Sequence, residues 1–124
     1  LRSLEQVPDA PTALGGRALY AERCVPSTKE IAVMVVRADA SGEIRAYPAV
    51  EAIHKHNLIL APFCSANSML GPRAQTIADN AVRTFSSVGM FGVEMFLLGD
   101  GTLYVNETAP RQHNLGHYTV EATL

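Results

Sequence analysis

Apolar and polar positions along the chain change their period several times. The run "EIAVMVVRA" is β-branched and almost continuously apolar, the pattern of a strand covered on both faces. Turn residues in "ADASGE" interrupt it, and "IRAYPAVEAIHK" then returns as a second strand. So short a connection predicts an antiparallel hairpin. The opening "LRSLEQVPDAPTALGGRALYAER", with Pro8, Pro11, Gly15 and Gly16, reads as a loop feeding a strand near residues 18–23. "APFCSANSMLGPRAQ" reads as a further loop; after it Ala74, Ile77, Ala78, Ala81, Val82 and Phe85 recur at helical spacing, which predicts an amphipathic helix lying on a sheet. "SVGMFGVEMFLLGDGTLYVNETAP" is two extended runs joined by Asp100-Gly101, a dipeptide suited to a two-residue type I′ turn because both central residues need positive φ. Together these elements predict an α+β unit, a mostly antiparallel sheet with one principal helix.

The last hairpin has a chemical consequence. Counting back from a turn at Asp100-Gly101 sets Glu94 directly opposite Glu107. Opposed residues hold their Cβ atoms roughly 4.5–5.5 Å apart, and like charges there repel. A hard divalent cation offsets that repulsion, and magnesium characteristically takes one or two carboxylates together with phosphate oxygens of a nucleotide. Alternatively one carboxylate splays into solvent or pairs with Arg37 or Arg111. Glu94 lies inside the apolar run "FGVEMFLL", where an ionised group without a partner is costly to bury.

Composition narrows the classes. A length of 124 residues, 48% of them hydrophobic, suffices for one modest core and no second domain. The net charge of −2, with both signs scattered, shows no footprint for nucleic acid or a membrane surface. Cys24 and Cys64 lack metal-type spacing, and neither a secretory leader nor an apolar stretch of roughly 18 residues occurs, so reduced thiols and a cytoplasmic location are expected.

The stretch "VNETAPRQHNLGHYT", residues 105–119, carries Asn106, Glu107, Arg111, His113, Asn114 and His117, punctuated by Pro110 and Gly116. Arginine supplies a permanent planar fork for a carboxylate or phosphate, histidine exchanges a proton near neutral pH, and asparagine offers a donor and an acceptor. Pro110 and Gly116 oppose the helix that would align His113 with His117 for zinc.

"YAERCVPSTKEIAVMVVR", "GVEMF" and above all "NETAPRQHNLGHYT" resemble the ATP-grasp part of phosphoribosylaminoimidazole carboxylase, whose ATPase component is also called 5-(carboxyamino)imidazole ribonucleotide synthetase. "KEIAVMVVR" resembles the fungal-type enzymes, in which this unit is fused to a mutase. The resemblance runs from about Arg17 to the last residue. It implies that residues 1–124 are a partial ATP-grasp domain, the C-terminal part of that fold, without the N-terminal lobe and the glycine-rich phosphate loop. It further implies ATP-dependent carboxylation of aminoimidazole ribonucleotide by bicarbonate through carboxyphosphate, in purine biosynthesis, with magnesium or manganese.

Residue by residue, the resemblance puts the adenine on Glu22, Arg23, Cys24 and Val25, the ribose on Glu30, and further nucleotide contacts on His54, Asn106 and Glu107. Glu94 and Glu107 match metal ligands; Arg111, His113 and Asn114 match the positions that hold bicarbonate and the acceptor. Taken without the resemblance, Glu22 and Glu30 pass as surface acids, and His54 and His56 as solvated residues near a strand end. Two positions depart from the family: Leu115 replaces a serine, and Ser27 stands where a large aromatic is usual. Leu115→Ser is accordingly expected to be neutral or favourable. Half an ATP-grasp site cannot enclose ATP, so the isolated chain is expected to be inactive. The rival readings are a non-catalytic nucleotide- or metal-binding module and a different ATP-grasp carboxylate ligase.

Overall fold

The computed structural model describes residues 3–39, 42–55, 58–63, 69–117 and 119. Cys64 and His56 lie outside them. A 3-10 turn, Leu4–Gln6, and a short helix α1, Ala10–Ala13, open the chain. Six strands follow with one long helix between them: β1 Ser27–Arg37, β2 Ile44–Ala46, β3 Val50–Lys55, β4 Leu58–Phe63, α2 Leu70–Arg83, β5 Gly89–Leu98 and β6 Leu103–Ala109. A second 3-10 turn, Asn114–Gly116, comes after β6.

The strands form one sheet in the order β4-β3-β1-β5-β6, with β2 also paired to β1, and every pairing is antiparallel. β1 is central, which is why its sequence is apolar on both faces. Ile31, Val33 and Val35 point one way, join Phe91, Val93 and Met95 of β5, and meet Ala74, Ala78 and Val82 of α2 to make the main core. The recurrence of those α2 residues every four positions places them on one helical stripe. Phe85, just past the helix, stacks on Phe91 with ring centroids 5.8 Å apart, and its carbonyl accepts a hydrogen bond from Arg37.

The opposite face carries a smaller apolar cluster of Ala32, Val50, Ala52 and Leu115. Among the described residues, this face is covered by the segment after β6, whose 3-10 turn packs against β1 and β4. Among the described residues, no helix is long and apolar enough to cross a membrane.

Four expectations need correction. Residues 17–26 form no strand: they run as an irregular segment, and the local order upstream is helical, with Pro11 at the start of α1 where a missing N–H costs nothing. The second strand is two, because Tyr47, Pro48 and Ala49 interrupt it, proline lacking the donor that a continuous ladder needs. The supposed loop "APFCSANSMLGPRAQ" begins inside β4, paired with β3, and ends inside α2. Finally, the last hairpin turns through Gly99, Asp100 and Gly101 rather than through two residues.

Candidate functional site

That turn decides the site. The amide of Gly101 donates to the Leu98 carbonyl at 3.0 Å, and Leu98 and Thr102 close the loop with a bond of 2.9 Å. Gly101 has φ +84°, the left-handed conformation that closes three-residue hairpins at low cost in glycine. Asp100 accepts a hydrogen bond from the Thr102 amide at 2.9 Å. That backbone bond, then the Thr102 side chain, hold the Asp100 carboxyl below its ordinary value.

With this turn the pairing next to it is Leu97 with Leu103, Phe96 with Tyr104 and Met95 with Val105. Continued unbroken, it would set Glu107 against Val93, on the α2 side. A bulge intervenes: Asn106 is the extra residue, after which Glu94 pairs with Glu107, Val93 with Thr108 and Gly92 with Ala109. A bulge bends its strand and re-aims the side chains beyond it. Glu107 is thus turned onto the face that carries Glu94 and Phe96, away from the main core. The predicted opposition of the two carboxylates is present, with the bulge compensating for the longer turn.

The chain then crosses that face. After Ala109, Pro110 and Arg111 reverse direction, and the Arg111 amide donates to Ala109 at 2.9 Å. His113 comes to rest over Gly92. It is 9% exposed, with Nε2 lying 3.1 Å from Oε1 of Glu94. Its Nδ1 accepts a long bond, 3.4 Å, from the amide of Leu115. A nitrogen that accepts carries no proton, so the imidazole proton sits on Nε2 and is donated to Glu94. Glu94 is therefore partnered by His113, and neither Arg37 nor Arg111 takes that place. Glu107 is exposed and has no ion pair among the described residues. Arg111 and Asn114 are exposed as well; the Arg111 guanidinium donates to the carbonyl of Gln112 at 3.2 Å. Leu115 drops into the small cluster and is 2% exposed.

Beside the carboxylates lies a cleft of about 510 Å³. Glu22, Arg23, Cys24 and Val25 form one wall, and Phe96, Tyr104, Val105 and Asn106 the other. Among the described residues, the amides of Glu22, Arg23 and Cys24 donate to no backbone carbonyl, which leaves this irregular segment's main chain available to a ligand. Glu30, on β1, pairs with Phe96 and so shares the face of the cleft. His54 is on β3, two residues beyond Ala52, the partner of Glu30; its side chain is outside the described set. Ser27 is exposed at the start of β1, opposite Leu98.

In comparison with known proteins, all 124 residues match the ATP-grasp domain. The chain belongs to the ATP-grasp family. Phosphoribosylaminoimidazole carboxylase of Schizosaccharomyces pombe is 53% identical over 121 residues, which cover 94% of this chain and 22% of that protein. The enzyme of the same name from Ogataea methanolica is 51% identical over 120 residues, again 22% of its length. The chain thus spans about a fifth of the curated relatives it matches. Among solved structures, N5-carboxyaminoimidazole synthase of Aspergillus clavatus, in complex with ADP and 5-aminoimidazole ribonucleotide, superposes with a TM-score of 0.85 at 39% identity, covering 96% of this chain and 32% of that one. A structure of the carboxyaminoimidazole ribonucleotide synthase from the same organism, complexed with ATP, gives 0.84 at 39% identity, covering 96% and 31%.

Within this ATP-grasp chain, the donor chemistry suits a hard cation that is completed by phosphate. Two carboxylates face each other, and among the described residues no group of three or more histidine, cysteine or acidic side chains assembles a full metal cage. Magnesium is characteristically held that way, by one or two carboxylates with the remaining positions left to water and phosphate. Reading the sequence missed Phe96, Tyr104 and Val105 as cleft residues, and Gly92 as the floor beneath His113. The half exposure of Tyr104 and Val105 on an outer strand is a signal that only the fold gives. Gly92 gave none.

Proposed function

We propose that this chain is the part of a phosphoribosylaminoimidazole carboxylase that supplies one wall of the nucleotide cleft, the metal carboxylates and the acceptor loop. The observation that carries the reading is the Glu94–Glu107 pair on β5 and β6, whose strand neighbours Phe96 and Asn106 line a cleft with the segment 22–25 as its other wall. The names of the relatives and the ligands in the Aspergillus clavatus structures support the same substrates here: ATP, bicarbonate and aminoimidazole ribonucleotide. The second ATP-grasp lobe, with its phosphate loop, and a fused mutase belong to sequence outside these residues in this reading, and the setting is cytoplasmic.

The chemistry runs in two balanced steps. A bicarbonate oxygen attacks the γ-phosphorus of ATP, the bond to the bridging oxygen of ADP breaks, and carboxyphosphate forms. The exocyclic amine of the acceptor then attacks the carboxyl carbon, phosphate leaves with its bonding pair, and the amine loses a proton. Glu94 and Glu107 would hold a magnesium or manganese ion, which when bound would supply charge neutralisation for the transferring phosphoryl group. Main-chain groups of Glu22, Arg23, Cys24 and Val25 hold the adenine, Glu30 and His54 the sugar side, and Asn106, freed from the ladder by the bulge, a phosphate or sugar oxygen. Arg111 clamps the carboxyl group by its fork, with Asn114 beside it. His113 fixes Glu94.

The test is made on the full-length protein containing this chain. Incubated with ATP, magnesium, labelled bicarbonate and aminoimidazole ribonucleotide, it releases one ADP and one phosphate for each label transferred to the amine. Phosphate release that does not respond to this acceptor, while another amine or acid does stimulate it, identifies a different carboxylate ligase. No ATP turnover at all, with nucleotide still bound, identifies a binding module.

A further inference from the structure

We infer that Gly92 is a positioning residue for the metal carboxylate Glu94: the absence of a side chain there lets His113 lie flat on β5 and reach it. The inference rests on the reading of Glu94 and Glu107 as metal ligands. Gly92 and Glu94 are two apart on one strand and therefore share a face. A Cβ added at Gly92 would stand 2.7 Å from the Cβ of His113 and 3.0 Å from its Cγ. The Cβ of His113 is fixed by its backbone, so no rotamer change clears that contact.

Nor can β5 retreat. Gly92 is paired on one side with Met34 and on the other with Ala109. Its φ is not in the left-handed range, so alanine is permitted by the backbone, and the whole effect of a substitution passes through the contact. Carbon atoms settle about 3.5–4.0 Å apart, so the loop must rise by roughly 1 Å. The bond from His113 Nε2 to Glu94, now 3.1 Å, then exceeds hydrogen-bonding range. The Leu115 amide that bonds Nδ1 travels on the same loop, so the tautomer is kept and only the bond to Glu94 is lost. A Cβ added at Gly116 would likewise stand 2.8 Å from Cγ of Met34, so the loop is seated at two glycines with His113 and Leu115 between them.

The experiment measures manganese binding by electron paramagnetic resonance, with ADP present, on the full-length protein containing this chain. Glu94→Gln, Gly92→Ala and His113→Leu each weaken manganese binding at least about tenfold, the scale on which outer groups of metal sites act. Gly92→Ala combined with His113→Leu is no weaker than either alone, because both act through one bond. His113→Gln, which keeps an N–H donor near the position of Nε2, recovers most of the affinity. If Gly92→Ala prevents folding, Gly92→Ala with His113→Gly removes the colliding Cβ and restores folded protein; failure to restore it overturns the inference. So do additive losses in the double variant, or unchanged manganese binding in Gly92→Ala when Glu94→Gln binds weakly. Unchanged binding in Glu94→Gln itself overturns the metal reading, and the inference with it.

Discussion

Leu115→Ser removes the side chain by which the loop after β6 is anchored. Leu115 is 2% exposed and packs against Ala32, Val50 and Ala52 on the face opposite α2. Truncating a buried leucine costs about 2–5 kcal/mol, the spread depending on how far the surroundings collapse. Here the neighbours are small and the cover is a loop, so partial collapse puts the cavity part near the lower end, about 2.5 kcal/mol. A hydroxyl buried without a partner adds about 1 kcal/mol, giving roughly 3.5 kcal/mol or a ~300-fold shift in the folding equilibrium. Urea unfolding of the parent and of Leu115→Ser reads this as a lower midpoint at unchanged slope, with Leu115→Ala about 1 kcal/mol less affected than serine. Both variants within about 0.5 kcal/mol of the parent would refute the anchoring role.

Glu107→Gln in the full-length protein abolishes ATP turnover, since an amide brings no charge to the cation; near-normal carboxylation at ordinary magnesium would remove Glu107 from the ligand set. Arg111→Lys keeps a charge and loses the planar fork, so phosphate release from ATP persists while carboxylation of the amine falls at least about tenfold. Equal losses in the two assays would place Arg111 elsewhere in the reaction. The Asp100 carboxylate, stabilised by the Thr102 amide and side chain, titrates below the ordinary 3.8. Its contribution to the hairpin is accordingly in place above the unfolded-state value and lost as the pH falls through the folded one. An NMR titration of Asp100 with its midpoint at or above 3.8 contradicts the turn geometry.

Legibility in the sequence followed the range of the interaction. β1, the α2 stripe and the β5–β6 hairpin were readable because each is written in local periodicity. The turn at Gly99, Asp100 and Gly101 was misjudged by one residue, and the bulge at Asn106 went unseen; the two errors cancel at Glu94 and Glu107. Both features are set by how the strands twist and pack, and the dipeptide Asp-Gly suits either turn. Leu115 looked like a departure in a ligand loop because its burial depends on Ala32, Val50 and Ala52, far away in the chain. His113 was expected to face the bicarbonate and acceptor. That it holds Glu94 follows from the loop's docking over Gly92, a contact no local pattern encodes.

The measurement closest to the central claim is the anomalous-scattering map of the full-length protein crystallised with manganese and ADP. A peak bridging Glu94 and Glu107, with a nucleotide phosphate as a further ligand and His113 still donating to Glu94, is the predicted result. A manganese ion bound to the nucleotide without either carboxylate, or to His113 in place of Glu94, would contradict it.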